Sequence, residues 1–116
     1  VQVSTAAERL AVIQNNYNDA LNNEPNDLAN AKTAEDVTAI QANLANARSA
    51  YYAAIAAQLT MNGTNVEAAY AAAASAHAAV TKAREDAAAL AVLLQKLTGA
   101  TNTAADLLKL AKSPTA

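Results

Sequence analysis

Cysteine, phenylalanine and tryptophan are absent from the 116 residues, and glycine and proline occur twice each. Without cysteine there are no disulfides and no thiolate metal ligands, although compartment stays open because many exported proteins also lack it. With Gly63 and Gly99 as the only glycines, a Gly-rich phosphate loop or a nucleophile elbow has no place to form. No apolar run approaches the roughly 20 residues that span a bilayer, because Asn, Gln, Lys and Asp interrupt every segment. The net charge of -2, with basic residues dispersed from Arg9 to Lys112, provides no stripe to track a phosphate backbone, and nucleic-acid binding is not expected.

Alanine supplies much of the 53% hydrophobic content. Small side chains let helix backbones approach closely, and strand formers never gather into an alternating run, so the class is all-α. The low charge, 16%, the abundant Asn, Gln and Thr, and a start at Val1-Gln2-Val3-Ser4-Thr5 lean toward an exported or cell-surface protein. That start reads either as a mature end after signal removal or as a chosen boundary.

One stretch organises the chain. From Thr64 to Leu97 there is neither Gly nor Pro, with Gly99 just beyond. Thr64 and Glu67 have capping-box spacing and Gly99 suits a left-handed helix stop, which predicts one helix over residues 65–97, about 50 Å long. Its seam, Val66, Ala69, Ala73, Ala76, Val80, Ala83, Ala87, Leu90, Leu94 and Leu97, is alanine-rich first and leucine-rich later. Helix 1 is expected over 6–22, opened by a Thr5–Glu8 capping box and closed before Pro25. Helix 2 is expected over 34–61, opened at Thr33 with Glu35 and Asp36 in its first turn, with a seam from Val37 through Ile40, Leu44, Ala47, Tyr51 and Ile55 to Leu59. A short helix 4 is expected over 104–112, then a tail or linker over 113–116.

These lengths predict an antiparallel up-down bundle over residues 1–112. Two long helices, 2 and 3, form a hairpin, with a shorter first helix and a short fourth. Helices 1 and 4 would cover only the base, leaving a projecting two-helix arm tipped by Asn62-Gly63.

Chemistry-bearing residues are sparse. His77 is the single histidine and has no carboxylate one turn away. No Glu-x-x-His pair exists, so no metal or cofactor is expected. Glu35-Asp36 and Glu85-Asp86 are adjacent pairs whose side chains diverge by about 100°, more consistent with a helix start and a solvated face than with a catalytic dyad. Enzyme activity is not expected. Asn62-Gly63-Thr64 spells a glycosylation sequon, although turn and cap roles already explain Gly63 and Thr64; a glycan is expected only in a eukaryotic source. On the predicted arm, Tyr51, Tyr52, Leu59, Met61, Tyr70 and His77 form the candidate binding patch, tyrosine being favoured at interfaces. The competing reading places Tyr51 and Leu59 in the seam and lays Tyr52 and Tyr70 along the alanine surface.

Residues 28–40, Leu28-Ala29-Asn30-Ala31-Lys32-Thr33-Ala34-Glu35-Asp36-Val37-Thr38-Ala39-Ile40, resemble the passage between the second and third helices of the albumin-binding three-helix modules on Gram-positive bacterial surfaces. The chain departs from that pattern beyond Leu44, where its helix is expected to continue to Met61, so albumin binding does not carry over. The resemblance implies a class, helical modules of bacterial surface or secreted proteins, often adhesive or spacing units. The expectation is thus a non-enzymatic helical module acting in protein contact, adhesion or self-association. The alternative is a carrier of a small apolar ligand between the helices, which alanine seams disfavour because they leave little cavity.

Overall fold

A computed structural model describes residues 3–112; the expected tail over 113–116 lies outside the described residues. Four α-helices, α1 (Ala6–Asn30), α2 (Ala34–Ala56), α3 (Thr64–Glu85) and α4 (Leu90–Ala111), follow one another, with no strand among the described residues. The chain is all-α, and its helices pack as a bundle. Their lengths are 25, 23, 22 and 22 residues, so the expected contrast between two long and two short helices is replaced by near equality.

Two helix starts follow directly from local chemistry. The Thr5 hydroxyl accepts the Glu8 amide while Glu8 Oε1 accepts the Thr5 amide, a complete capping box. Thr33 likewise accepts the Asp36 amide, and Asp36 reaches back to accept the Lys32 amide. The third start differs from expectation. Thr64 is already helical, the N-cap is Gly63 with no side-chain cap bond, and Glu67 turns away to Ser4 and Arg9.

Helix 1 does not stop at residue 22. It passes through Pro25 to Asn30, although an interior proline removes one hydrogen bond and costs about 3 kcal/mol. Tertiary contacts offset this. Asp27, beyond the proline, is buried and accepts two hydrogen bonds from Arg84 of α3, which holds the last turns in place.

The expected helix over 65–97 is two helices. At its break the Ala88 amide donates to the Ala83 carbonyl and the Ala87 amide to the Arg84 carbonyl, the paired bonds of a Schellman stop, with Ala87 left-handed at φ 51° where glycine is usual. A left-handed alanine costs about 1–2 kcal/mol. Folding back lets Val80 and Ala83 pack against Leu93, Leu97 and Ala100, and each buried leucine is worth about 1.5–3 kcal/mol. Turning back is therefore favoured over continuing. Gly99 lies inside α4, where an added Cβ would meet nothing, so it marks no helix end.

Helix 2 ends at Ala56, not at residue 61. The connection that follows sends Leu59 into the core and ties the Met61 amide to the Ala111 carbonyl. Consequently α2 and α3 are not a hairpin and do not pack on each other. The packed pairs are α1 with α2, α3 with α4, and α4 and α3 against α1, with α2 against α4. No two-helix arm projects. The buried residues form two layers. One gathers Ile13, Ala50, Ala54, Val66, Ala73, Ala104 and Leu107 around Leu59; the other gathers Tyr17, Ala20, Leu44, Ala47, Val80 and Ala83 with Leu93 and Leu97. The α2 seam is also shifted, because Ala50 and Ala54 face the core while Ile55 is 54% exposed.

Replacing Ala87 with glycine is a direct check on the break. Ala87→Gly is expected to stabilise the protein by about 1 kcal/mol, since glycine adopts the left-handed conformation without Cβ penalty. In an uninterrupted helix the same change would destabilise by about 1 kcal/mol. Urea-denaturation midpoints distinguish the two signs, and a lowered midpoint would rule out the break.

Candidate functional site

The candidate residues divide into separate environments. Tyr51 and Tyr52 come together with Tyr17 of α1, and Tyr51, like Tyr70, also packs against the layer around Leu59. The Tyr17 and Tyr51 rings stack with centroids 5.5 Å apart, Tyr52 meets Tyr17 edge-on at 6.1 Å, and Tyr51 and Tyr52 are tilted at 6.0 Å. Leu59 is core, 2% exposed, and cannot contact a partner. Tyr70 is half-buried against the layer around Leu59. Met61 is exposed on the α2–α3 connection. His77 is half-buried on α3, its Nδ1 enclosed with no hydrogen-bond partner. The six do not make one patch.

A different set of residues meets on the outer side of the α1–α2 pair, around the Tyr17–Tyr52 contact. Tyr17, Leu21 and Glu24 recur at three- and four-residue steps along α1, and Arg48, Tyr52 and Ile55 do so along α2, so each set makes one stripe. Arg48 links the stripes, since its guanidinium feels both the Tyr17 hydroxyl and the Glu24 carboxylate. It holds the Tyr17 hydroxyl below the usual phenol range, with help from Tyr52. Tyr52, beside the Tyr17 hydroxyl, is pushed up. Tyr52 is 56% exposed and Ile55 54% on α2, and Leu21 is 40% exposed on α1, so apolar side chains stand uncovered near a cation. Tyr17, Leu21, Arg48 and Ile55 escaped sequence reasoning. Pairing helix 1 with helix 2 across their short connection would have found them, since Tyr17 and Tyr51 then face each other.

Two buried charge clusters join α1 to α3. Near both N-termini, Arg9 is 1% exposed and donates to Ser4 Oγ, the Leu59 and Met61 carbonyls, Asn62 Oδ1 and Glu67 Oε2 at 2.8–3.0 Å. Toward both C-termini, Arg84 makes two-pronged contacts with Asp19 and with Asp27, at 2.9–3.2 Å. Burial opposes the Arg84 charge, but Asp27 and Asp19 outweigh it and raise its pKa. A cleft of about 750 Å³ opens beside this second cluster, lined by Asn23, Asn26, Asp27, Lys32, Arg84 and Leu90 among others. Between the clusters, the buried Asn16 Oδ1 has no partner, and its Nδ2 makes one long bond of 3.4 Å to Thr101.

Among the described residues no group of three or more His, Cys, Asp and Glu side chains is arranged to hold a metal, and no helix is long and apolar enough to cross a membrane. No protein-family model, curated protein or solved structure matches the chain.

Glu67 gives the Arg9 cluster a pH signature. The Ser4 amide lowers its pKa against the opposing effect of partial burial, and the Ser4 hydroxyl and Arg9 lower it further. Its unfolded form therefore takes up a proton at higher pH than its folded form does. The stabilisation is complete above the ordinary glutamate pKa of about 4.3 and is lost as pH falls through the lowered folded value. Glu67→Gln is expected to reduce stability at neutral pH and to flatten the acid decline, read from urea midpoints across an acid pH series. Parallel declines in both proteins would remove Glu67 from this role.

Proposed function

We propose that the chain is a non-enzymatic helical module of an exported or cell-surface protein, acting in protein contact through the α1–α2 face. We infer an antiparallel up-and-down course for its helices, because successive helices contribute opposite ends to each buried layer. The observation that carries the functional reading is the exposure of Tyr52 and Ile55, one turn apart on α2, with Leu21 exposed on α1 and Arg48 one turn before Tyr52. Aromatic residues and arginine are the side chains most enriched in interface hot spots. The resemblance of residues 28–40 to bacterial surface modules points to the same class.

The face is self-complementary in charge. Arg48 of α2 and Glu24 of α1 carry opposite charges on this face, so a second copy related by a two-fold axis can present a carboxylate to each arginine while the exposed apolar side chains cover each other. Self-association is accordingly the first contact to test. The carrier alternative has the cleft beside Arg84 to draw on, but Asn, Asp, Lys and Arg make up half of its lining, with alanine and leucine the other half, and charged groups among the walls suit an apolar ligand poorly.

Sedimentation equilibrium from about 10 μM to about 1 mM covers contacts worth roughly 4–7 kcal/mol. The protein is expected to dimerise within that range. The double variant Tyr52→Ser/Ile55→Ser is expected to stay monomeric with unchanged helix content by circular dichroism. A wild-type monomer throughout, or a double variant that dimerises equally well, would rule out self-association through this face.

A further inference from the structure

The α2–α3 connection holds a pair of residues that the contact face does not use, Asn62 and Gly63. Of the twelve asparagines in the chain, Asn62 alone precedes a glycine. An asparagine side chain can be attacked at Cγ by the backbone nitrogen of the next residue. This succeeds when that nitrogen is unhindered, free of hydrogen bonding and outside regular structure, and when the side-chain carbonyl is polarised.

All four conditions meet here. Gly63 has no Cβ to crowd the approach and sits just before the first helical residue, Thr64, at φ 153°. Its N–H has no acceptor among the described residues, whereas its carbonyl is occupied by the Glu67 amide. Asn62 is exposed. Asn62 Oδ1 accepts from Arg9 Nη2 at 2.9 Å, so the carbonyl to be attacked is already hydrogen-bonded to a guanidinium. A tetrahedral intermediate places negative charge on that same oxygen, where a fixed cationic donor stabilises it.

We infer that Asn62 in the folded protein is a site of self-catalysed deamidation, with Arg9 as the electrophilic group. The Gly63 nitrogen loses its proton and bonds to Asn62 Cγ. The Cγ–Nδ2 bond then breaks, and the amide leaves as ammonia, carrying the proton, to give a cyclic imide. Water adds to one of the two imide carbonyls and reopens the ring. Addition at Cγ gives aspartate; addition at the backbone carbonyl gives isoaspartate. No oxidant or cofactor enters the balance. Because Arg9 polarises the Cγ carbonyl in the imide as well, the folded protein directs water there and favours aspartate. The new carboxylate remains beside Arg9, so the modification adds charge to the cluster that holds the α2–α3 connection.

The native protein and the same protein unfolded in urea are incubated at neutral pH and followed by peptide mapping for the amide-to-acid mass increment and for isoaspartate. In the native protein Asn62 is expected to convert at least as fast as in urea, with a larger aspartate share. Asn62→Gln should abolish the signal at this peptide. Native conversion slower than in urea by about tenfold, equivalent to about 1.4 kcal/mol of added barrier, would show that the fold protects the site and would overturn the inference. An unchanged aspartate share would overturn the role of Arg9.

Discussion

The buried guanidinium of Arg9 is the constraint on which the rest of this fold depends. An arginine has five N–H donors in a rigid fork, and all five are used, on Ser4, Leu59, Met61, Asn62 and Glu67. A charge taken this far from water must be paired and fully hydrogen-bonded to be tolerated. Its acceptors come from the segment before α1, from the α2–α3 connection and from the first turn of α3. Satisfying Arg9 therefore specifies how α2 ends, where Leu59 enters the core and where α3 begins. Ion pairs tie α1 to α3 at this end and through Arg84 at the other, while the packing of α1 and α2 on α4 joins the two helix pairs between them.

Between those two ends the bundle is built of small side chains, and small side chains specify position weakly. Alanines at positions 20, 47, 50, 54, 73, 83, 100 and 104 pack well but offer little shape to distinguish one register from the next. Polar pairs placed in the interior compensate. Asn43 donates to Thr98 at 3.1 Å and Asn16 reaches Thr101, tying α2 and α1 to the same face of α4. A slip of one helical turn would strand these amides, at roughly 1–3 kcal/mol for each unpartnered group. Buried amides at core positions are a known means of fixing register in helical assemblies.

The parts of the fold legible in the sequence are those decided within a few residues. The caps at Thr5 and Thr33, the all-helical class and the core positions Ile40, Leu44, Val66 and Val80 depend on local hydrogen bonds or on helical period alone. The continuation through Pro25 was hidden because its support, Arg84, lies 57 residues from Asp27 in the chain. The break at Ala87 was hidden because three consecutive alanines carry no turn signal, and the nearby Gly99 drew the helix end to the wrong place. A single helix over 65–97 requires helix 2 as its partner, and the hairpin and the arm followed from it. The aromatic cluster follows from the same packing, since α2 lies on α1 and brings Tyr51 and Tyr52 to Tyr17.

The corrected packing also explains why the tyrosine face stays uncovered. Helix α2 meets α1 and α4 but not α3, so Ala47, Ala50 and Ala54 turn inward and the opposite stripe, Arg48, Tyr52 and Ile55, turns outward. In α1 the inward and α3-facing positions are taken by Ile13, Asn16, Asp19 and Asp27, which leaves Leu21 on the remaining side. Burying Ile55 by rotating α2 would expose Ala54, a change that apolar area favours. The same rotation would separate Asn43 from Thr98 and pull Tyr51 off its stack with Tyr17. The exposed strip is thus a consequence of the polar and aromatic contacts that fix α2 against its two neighbours, and its apolar surface remains available for another molecule.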